Sequence, residues 1–424
     1  MKDFNKKEMP IQGFAGFGGG AVSLAFRSGA SGYPMDEVFS SNGQMIYSQE
    51  DNNDDDYRLL STGNDAGGTW SAPTTITLRN SYTGALGDGD GDKNHIVPLT
   101  KTRYMYVQRY QAYATMFDIT TTSSTNDTIT FRAKLDLPTG YNTPQNPSCC
   151  GIDGTKVFNA HDGVAFILRY NDTTTLQNGE LASGVTSGNA LASASAIKVP
   201  ESDYVLNFMS DAAQLFDVSG NAPVIETTLS TLVSGGFGSV LNQYYTASHT
   251  HEKDHFVLWT RGGYSVVKLT GTSLSVTASA VQASNAVWSG WSNGGPGFDN
   301  SNSGVNPLSA YIGNGFIVIR DTGPASTGVN SVIKIYEFFT NGLNTAPNLV
   351  ASYTCSPNIG NFYVAPLYNQ DFGTGLYTYF VLLGDVKQQI LQLTNANGTV
   401  TEIADVAVIS TANHEVANSL YTVS

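Results

Sequence analysis

Short apolar runs separated by small polar residues recur along this chain, and none of them keeps a helical period. Gln44-Met-Ile-Tyr47, Arg103-Tyr-Met-Tyr-Val107, Val164-Ala-Phe-Ile-Leu168, Tyr204-Val-Leu-Asn-Phe208, His255-Phe-Val-Leu-Trp259, Gly315-Phe-Ile-Val-Ile319 and Tyr379-Phe-Val-Leu-Leu383 are too short for helices and rich in β-branched and aromatic side chains, which is the usage of strands. Each belongs to a unit with a small polar start, an apolar strand, a turn, a second strand and an exit rich in Ser, Thr, Asn and Gly. Starts fall near Asp36, His95, Thr155, Glu201, Asp254, Ser309 and Asn361, roughly 46–60 residues apart, the length of a four-stranded module. One such module cannot cover both of its apolar faces. Modules stacked radially cover each other and protect most strand edges, so the pattern predicts one all-β body of seven modules over residues 36–424. Closure then requires either Ser419–Val423 to complete the first module or a strand near Met45 to complete the last. A pair of β-sandwiches or jelly rolls is the competing architecture, and the lack of a Pro-rich or charged linker after residue 36 speaks against two domains.

Residues 1–35 follow another pattern. Ile11-Gln-Gly-Phe-Ala-Gly-Phe-Gly-Gly-Gly-Ala-Val-Ser-Leu-Ala-Phe26 mixes large apolar residues with glycine and has neither a strand nor a helix period. Phe14, Phe17, Leu24 and Phe26 are too apolar to stay in water, yet the interleaved glycines have much backbone freedom to lose. Such a segment orders against another surface, and it is expected to be an extended docking arm. The phrase from Gly16 to Phe26 resembles the N-terminal attachment segments of tail-fibre and other virion proteins of marine bacteriophages.

One hairpin is specified in more detail than the rest. In Tyr57-Arg-Leu-Leu-Ser-Thr-Gly-Asn-Asp-Ala-Gly-Gly-Thr-Trp-Ser-Ala-Pro73, two extended segments flank a loop whose Asp65 can accept from its own backbone. Gly67 and Gly68 supply permissive turn conformations, and Thr69 and Trp70 open the return strand. The stretch resembles the Asp-box of sialidase-like β-propellers: Asp65, Gly67, Thr69 and Trp70 match its pattern, and Gly63 stands where the opening Ser or Thr belongs. The resemblance implies a single β-propeller, with seven blades by the module count. It also implies a structural role for the box, in which the Asp ties the turn and the Trp packs between strands.

Composition agrees with short strands joined by tight turns: only 13% of residues are charged. The balance of 21 basic against 35 acidic residues, a net charge of −14, disfavours a phosphate-binding surface and an anionic membrane, so nucleic acid is not an expected partner. No apolar run approaches the roughly 18 residues of a spanning helix. The charged start and the glycine-broken segment after it make a poor signal peptide. The expectation is a protein without membrane insertion that leaves the cell by lysis or assembly. Cys149, Cys150 and Cys355 are odd in number and define no disulfide framework.

Candidate chemistry is sparse. Asp88, Asp90 and Asp92 alternate as calcium ligands do, but Lys93 and Leu99 stand where a calcium loop needs Gly and a bidentate Glu, so a solvated acidic loop is the preferred reading. Asp54-Asp-Asp56 reads as a hydrated hairpin tip. His249-Thr-His-Glu-Lys-Asp-His255 holds half of the six histidines, and His249 and His251 would share a strand face as zinc ligands do; a polar inter-blade loop is preferred, and no metal or cofactor is expected. Cys149-Cys150 lies in a stretch rich in Pro, Asn and Gly and reads as packing. Trp288 and Trp291 lie on a long Gly/Asn-rich stretch suited either to stacking on a sugar or protein or to plugging a neighbouring blade. The resemblance to sialidase-like enzymes implies an arginine cluster, a Tyr/Glu nucleophile pair and an acidic proton donor. The sequence singles out no such set, although Glu226 and Glu337 could be drafted.

With the resemblance of Gly16–Phe26 to virion attachment segments, the expectation is a non-enzymatic virion structural protein, a bacteriophage tail fibre, spike or appendage. It docks on other virion proteins through residues 1–35, forms a homo-oligomer and presents a propeller over 36–424 to a host-surface glycan or protein. The alternative is a sialidase-like glycoside hydrolase acting on surface glycans.

If the Asp-box is structural, Trp70→Ala costs roughly 3–5 kcal/mol, the range for deleting a large core aromatic, and Asp65→Ala about 1–2 kcal/mol. Equal unfolding midpoints for wild type and Trp70→Ala would remove the assignment.

Overall fold

The computed structural model describes twenty-eight strands between residues 37 and 407 and the turns at 99–100, 154–155, 199–203, 218–223, 230–233, 252–254, 271–272 and 395–398, with residues 250, 315 and 355; all others lie outside the described residues. The strands form seven four-stranded antiparallel sheets, each from one unbroken stretch of chain. Sheet one holds β1 (Glu37–Ser41), β2 (Gln44–Asp51), β3 (Asp54–Ser61) and β4 (Thr74–Thr77). Sheet two holds β5 (His95–Pro98), β6 (Arg103–Val107), β7 (Tyr113–Thr121) and β8 (Asp127–Asp136). Sheet three has β9 (Ser148–Asp153), β10 (Lys156–His161), β11 (Val164–Tyr170) and β12 (Leu176–Gln177), and sheet four has β13 (Ser195–Lys198), β14 (Tyr204–Met209), β15 (Ala212–Asp217) and β16 (Val224–Leu229). In sheet five come β17 (Tyr245–His249), β18 (His255–Thr260), β19 (Gly263–Thr270) and β20 (Ser273–Val281); in sheet six, β21 (Ser309–Gly313), β22 (Phe316–Arg320), β23 (Val332–Glu337) and β24 (Asn348–Thr354). Sheet seven closes the series with β25 (Phe362–Pro366), β26 (Tyr377–Gly384), β27 (Lys387–Thr394) and β28 (Thr399–Ala407).

The first strands make the ring. β1 lies against β5, β5 against β9, and so on through β13, β17, β21 and β25, and β25 returns to β1. The strand near Met45 does not complete the last sheet. Met45 sits in β2, between Ser40 of β1 and Leu60 of β3, and Ser419–Val423 lie outside the described residues.

Burial follows position in the sheet. β11 is buried along almost its whole length, because a middle strand is covered on both faces and reads as a continuous apolar run. The outermost β16 alternates exposed and half-buried residues. The core therefore lies between sheets. Val97, Met105 and Met116 of sheet two pack with Val157, Phe166 and Leu168 of sheet three, while Phe158, Ala165 and Ile167 turn to Val205 and Phe216 of sheet four. Leu206, Phe208 and Leu215 meet Phe256, Leu258 and Val267 of sheet five, and Val318, Ile335 and Ala351 of sheet six meet Phe380, Leu382 and Leu391 of sheet seven. Fully burying one such side chain contributes about 1.5–3 kcal/mol, so the sheets hold one another.

Two devices recur. The residue ahead of the second strand accepts from the end of the third at the same offset in three successive sheets: Tyr170 N to Thr155 O, Val218 N to Asp203 O and Leu269 N to Asp254 O, each 2.8 Å. In five sheets the third and fourth strands shift register, at Met116/Phe117, Leu215/Phe216, Val266/Val267, Ile335/Tyr336 and Ile390/Leu391. Such a bulge adds twist to the outer strand. The anchors also explain where the sequence boundaries go astray: Thr155, Glu201 and Asp254 are turn residues after the first strand, not module starts. Their modules begin at Ser148, Ser195 and Tyr245, because Ser-Cys-Cys-Gly, Ser-Ala-Ile-Lys and Tyr-Thr-Ala-Ser-His carry too little apolar bulk to read as strands.

Gly398, in the turn from β27 to β28, is required by both conformation and space. Its φ is +70°, its N–H donates to Thr394 O at 2.9 Å, and a Cβ there would lie 2.2 Å from the Val350 carbonyl oxygen of sheet six. Gly271 has φ +60° but nothing within 4 Å of its would-be Cβ. Gly271→Ala should therefore cost about 1–2 kcal/mol, the left-handed penalty alone, and Gly398→Ala distinctly more, read as a larger fall in denaturation midpoint. Equal falls would contradict the close approach.

Candidate functional site

Antiparallel pairing puts the turns after the first and third strands at one end of each sheet and the remaining connections at the other. Contacts between neighbouring sheets show that three, four and five share this orientation. Lys156 Nζ donates to Ser219 O at 3.3 Å, Arg169 Nη1 to Asn221 Oδ1, and Lys253 pairs with Glu201. Glu201 takes the left-handed region at φ 54°, uncommon for a residue with a side chain. β20, the last strand of sheet five, ends with Val281 at the opposite end.

Four polar clusters stand out among the described residues. In sheet five, His255 Nδ1 faces Asp254 Oδ1 at 2.7 Å and Glu252 Oε2 at 3.0 Å, with Lys268 Nζ 3.7 Å from Asp254 Oδ2. The His255 side chain is 4% exposed, those of Glu252 and Asp254 46%. This stretch is the turn between β17 and β18 inside one sheet, not the inter-blade loop that the sequence suggests; small residues in β17 hide that strand. These three side chains could hold a metal ion.

In sheet two the buried Asp118 receives Arg103 Nε at 2.9 Å and Arg132 Nη2 at 2.6 Å, and the Arg103 guanidinium lies 5.2 Å from the Tyr170 ring centre of sheet three. Two arginines thus converge, but on a carboxylate of the chain itself.

Between sheets six and seven, Tyr353 Oη donates to Glu402 Oε2 at 3.3 Å and Gln389 Nε2 donates to the same oxygen. Burial, reinforced by the Glu402 carboxylate and Cys355, pushes the Tyr353 hydroxyl well above its ordinary value. A Tyr/Glu couple is what the sialidase-like resemblance calls for, yet this one sits on the outermost strands, and its tyrosine is held protonated, the reverse of an activated nucleophile. It is a seam between sheets.

The fourth cluster surrounds Lys198, whose Nζ donates to Val199 O at 3.2 Å and to Ser202 O. Burial lowers its pKa, opposed by Cys150, Asp203 and Asp153. Burial likewise pushes the Cys150 thiol up, so it stays protonated and unreactive. Cys149 and Cys150 lie in β9 and not in a connection, and all three cysteines are free and buried.

Of the other residues singled out in the sequence, Glu226 is exposed on β16 and Glu337 is buried at the end of β23. Phe14, Phe17, Leu24, Phe26, Asp65, Gly67, Thr69, Trp70, Asp88, Asp90, Asp92, Trp288 and Trp291 lie outside the described residues. The strands β3 and β4 that flank the Asp-box stretch pair from Asp56↔Thr77 to Leu59↔Thr74. Sequence reading missed the Arg103–Asp118 pair although the two face each other across β6 and β7. A strand register would have found it; the Tyr353–Glu402 pair spans two sheets and leaves no such signal.

Solved structures share the ring. A candidate 6-phosphogluconolactonase from Bacteroides fragilis aligns over 86% of this chain and 94% of its own, with a TM-score of 0.57 at 12% identity. The fold is a β-propeller. A second candidate 6-phosphogluconolactonase, from Bacteroides uniformis, gives 0.52 at 13% identity over 83% of this chain and 92% of its own, and Sqt1 of Saccharomyces cerevisiae gives 0.50 at 8% over 89% and 86%. At such identities the likeness concerns the propeller alone. No protein-family description and no curated protein matches the sequence. Among the described residues no helix is long and apolar enough to cross a membrane.

Tyr353 generates a pH prediction. Its hydroxyl, and those of Tyr264 and Tyr379, lie above their ordinary value chiefly through burial. Below about pH 10 folded and unfolded chains both keep these protons; above it the unfolded chain releases protons that the folded one retains, so stability falls as pH rises toward the folded-state values. Urea midpoints measured from pH 8 to 11 should drop for wild type and drop less for Tyr353→Phe. Parallel curves would contradict the assignment.

Proposed function

We propose that this chain is a non-enzymatic structural protein of a bacteriophage virion, a tail fibre, spike or appendage. It docks on other virion proteins through residues 1–35, assembles as a homo-oligomer on the extracellular particle, and presents its propeller to a host-surface glycan or protein. The observation that carries the reading is the division of the chain: a glycine-rich arm with Phe14, Phe17, Leu24 and Phe26 precedes a body whose sheets already cover one another. Such a body has no need of the arm for its core, whereas the arm needs a partner for its aromatics. The absence of a phosphate-seeking charge balance fits a protein that meets cell surfaces and not genomes. The described polar clusters also favour it over glycoside hydrolysis, since Asp118 occupies two arginines and Tyr353 and Glu402 face each other between sheets. A ring of this kind suits recognition, because connections of unequal length can vary while the sheets stay fixed.

Deleting residues 1–35 should leave the far-UV spectrum and melting midpoint unchanged and abolish incorporation into particles when the truncated protein is supplied during assembly. Loss of folding would make the arm part of the body, and unchanged incorporation would move docking onto the propeller.

A further inference from the structure

We infer that the turn between β17 and β18 is a binding site for a first-row transition ion of the Zn²⁺ class, held by His255, Asp254 and Glu252. One imidazole nitrogen and two carboxylate oxygens lie within 4.8 Å of one another, and the Nδ1 distances of 2.7 and 3.0 Å are close to the roughly 3.3 Å that separates neighbouring ligands around a tetrahedral ion with bonds of about 2.0 Å. Nδ1 loses any proton on binding, and the carboxylates separate by a fraction of an ångström.

The ligands sit on fixed backbone. Glu252 N donates to Thr250 Oγ1 at 3.1 Å, His255 N to Glu252 O at 3.2 Å, and Leu269 N to Asp254 O at 2.8 Å. A pinned turn avoids most of the ordering cost of a flexible loop. His255 is buried while both carboxylates reach solvent, so an ion has a ligand held from within and an open approach. The two carboxylates outweigh the single ammonium of Lys268, which leaves the cluster anionic when His255 is neutral.

A separate observation comes from the sequence, where His249-Thr-His-Glu-Lys-Asp-His255 concentrates half of the chain's histidines in seven residues. His249 pairs with Phe256 across the hairpin, one residue from His255, and His251 adjoins Glu252 in sequence. Water can fill the fourth position. The nitrogen donor favours a transition ion over Ca²⁺ or Mg²⁺, which take oxygen ligands. Bound there, the ion fastens the turn whose Lys253 reaches Glu201 of sheet four, so its effect is to tighten the contact between two sheets. This inference is independent of the virion reading.

The test uses the full chain stripped with a chelator and titrated with ZnCl₂ by calorimetry, with Co²⁺ absorption as a second readout. The expected result is one site per chain, a raised melting midpoint with Zn²⁺, and an affinity reduced at least about tenfold in Glu252→Gln and in Asp254→Asn. These two variants keep the size of the side chains, so they decide the matter even if His255→Gln does not fold; circular dichroism without metal verifies their structure. Absence of binding to the wild type overturns the proposal. So does binding that His249→Ala and His251→Ala abolish while the two carboxylate variants leave it intact, which would make it adventitious capture by histidines outside the cluster.

Discussion

The constraint on which everything else depends is that a four-stranded sheet of this sequence has two apolar faces and no second layer of its own. Phe158 and Ile167 need sheet four, and Val157 and Phe166 need sheet two, although all four belong to the same short stretch of chain. Mutual coverage around a ring satisfies every sheet at once. It also makes cohesion collective: the apolar face that steadies one sheet is the face of the next. Removing a large side chain from one interface leaves a cavity that two sheets share.

Polar chemistry is drawn into the same task. With so few charges available, the described cations reach mainly across strands or to adjacent sheets: Arg169 to Asn221, Lys253 to Glu201, and Arg103 to Asp118 while stacked on Tyr170. Exposed pairs such as Lys253–Glu201 contribute at most about 1 kcal/mol, and their value lies in fixing orientation. The half-buried Tyr353–Gln389–Glu402 group counts for more, since a partner left alone there loses both water and its hydrogen bond. Function must therefore be sought where the sheets do not need their side chains for one another.

Much of the architecture is legible in the sequence because second strands are nearly pure apolar runs. Six of the seven representative runs are second strands, and only Val164–Leu168 is a third. First strands are less visible: β9, β13 and β17 pack at the crowded centre, where small residues such as Ala, Ser, Cys and Gly fit, and a pattern reader takes them for loops. For that reason the Cys149-Cys150 pair and the His249–His255 stretch are placed wrongly by sequence, one moving from connection to inner strand and the other from inter-blade loop to intra-sheet turn. Cross-strand partners such as Arg103 and Asp118 follow once register is known. Partners on different sheets depend on how the ring closes, which no local pattern encodes.

Each sheet is built from a single run of chain, and among the described residues no strand is lent to a neighbour. Many closed structures lock themselves by borrowing a segment from the far terminus; here the join between β25 and β1 is a lateral contact of the same kind as the six others. The covalent order of the sheets is then almost a matter of convenience. New termini opened between Thr354 and Phe362, with the old ones joined by a linker of suitable length, would leave all seven sheets whole, and the ring could be rewritten to begin at any of its members.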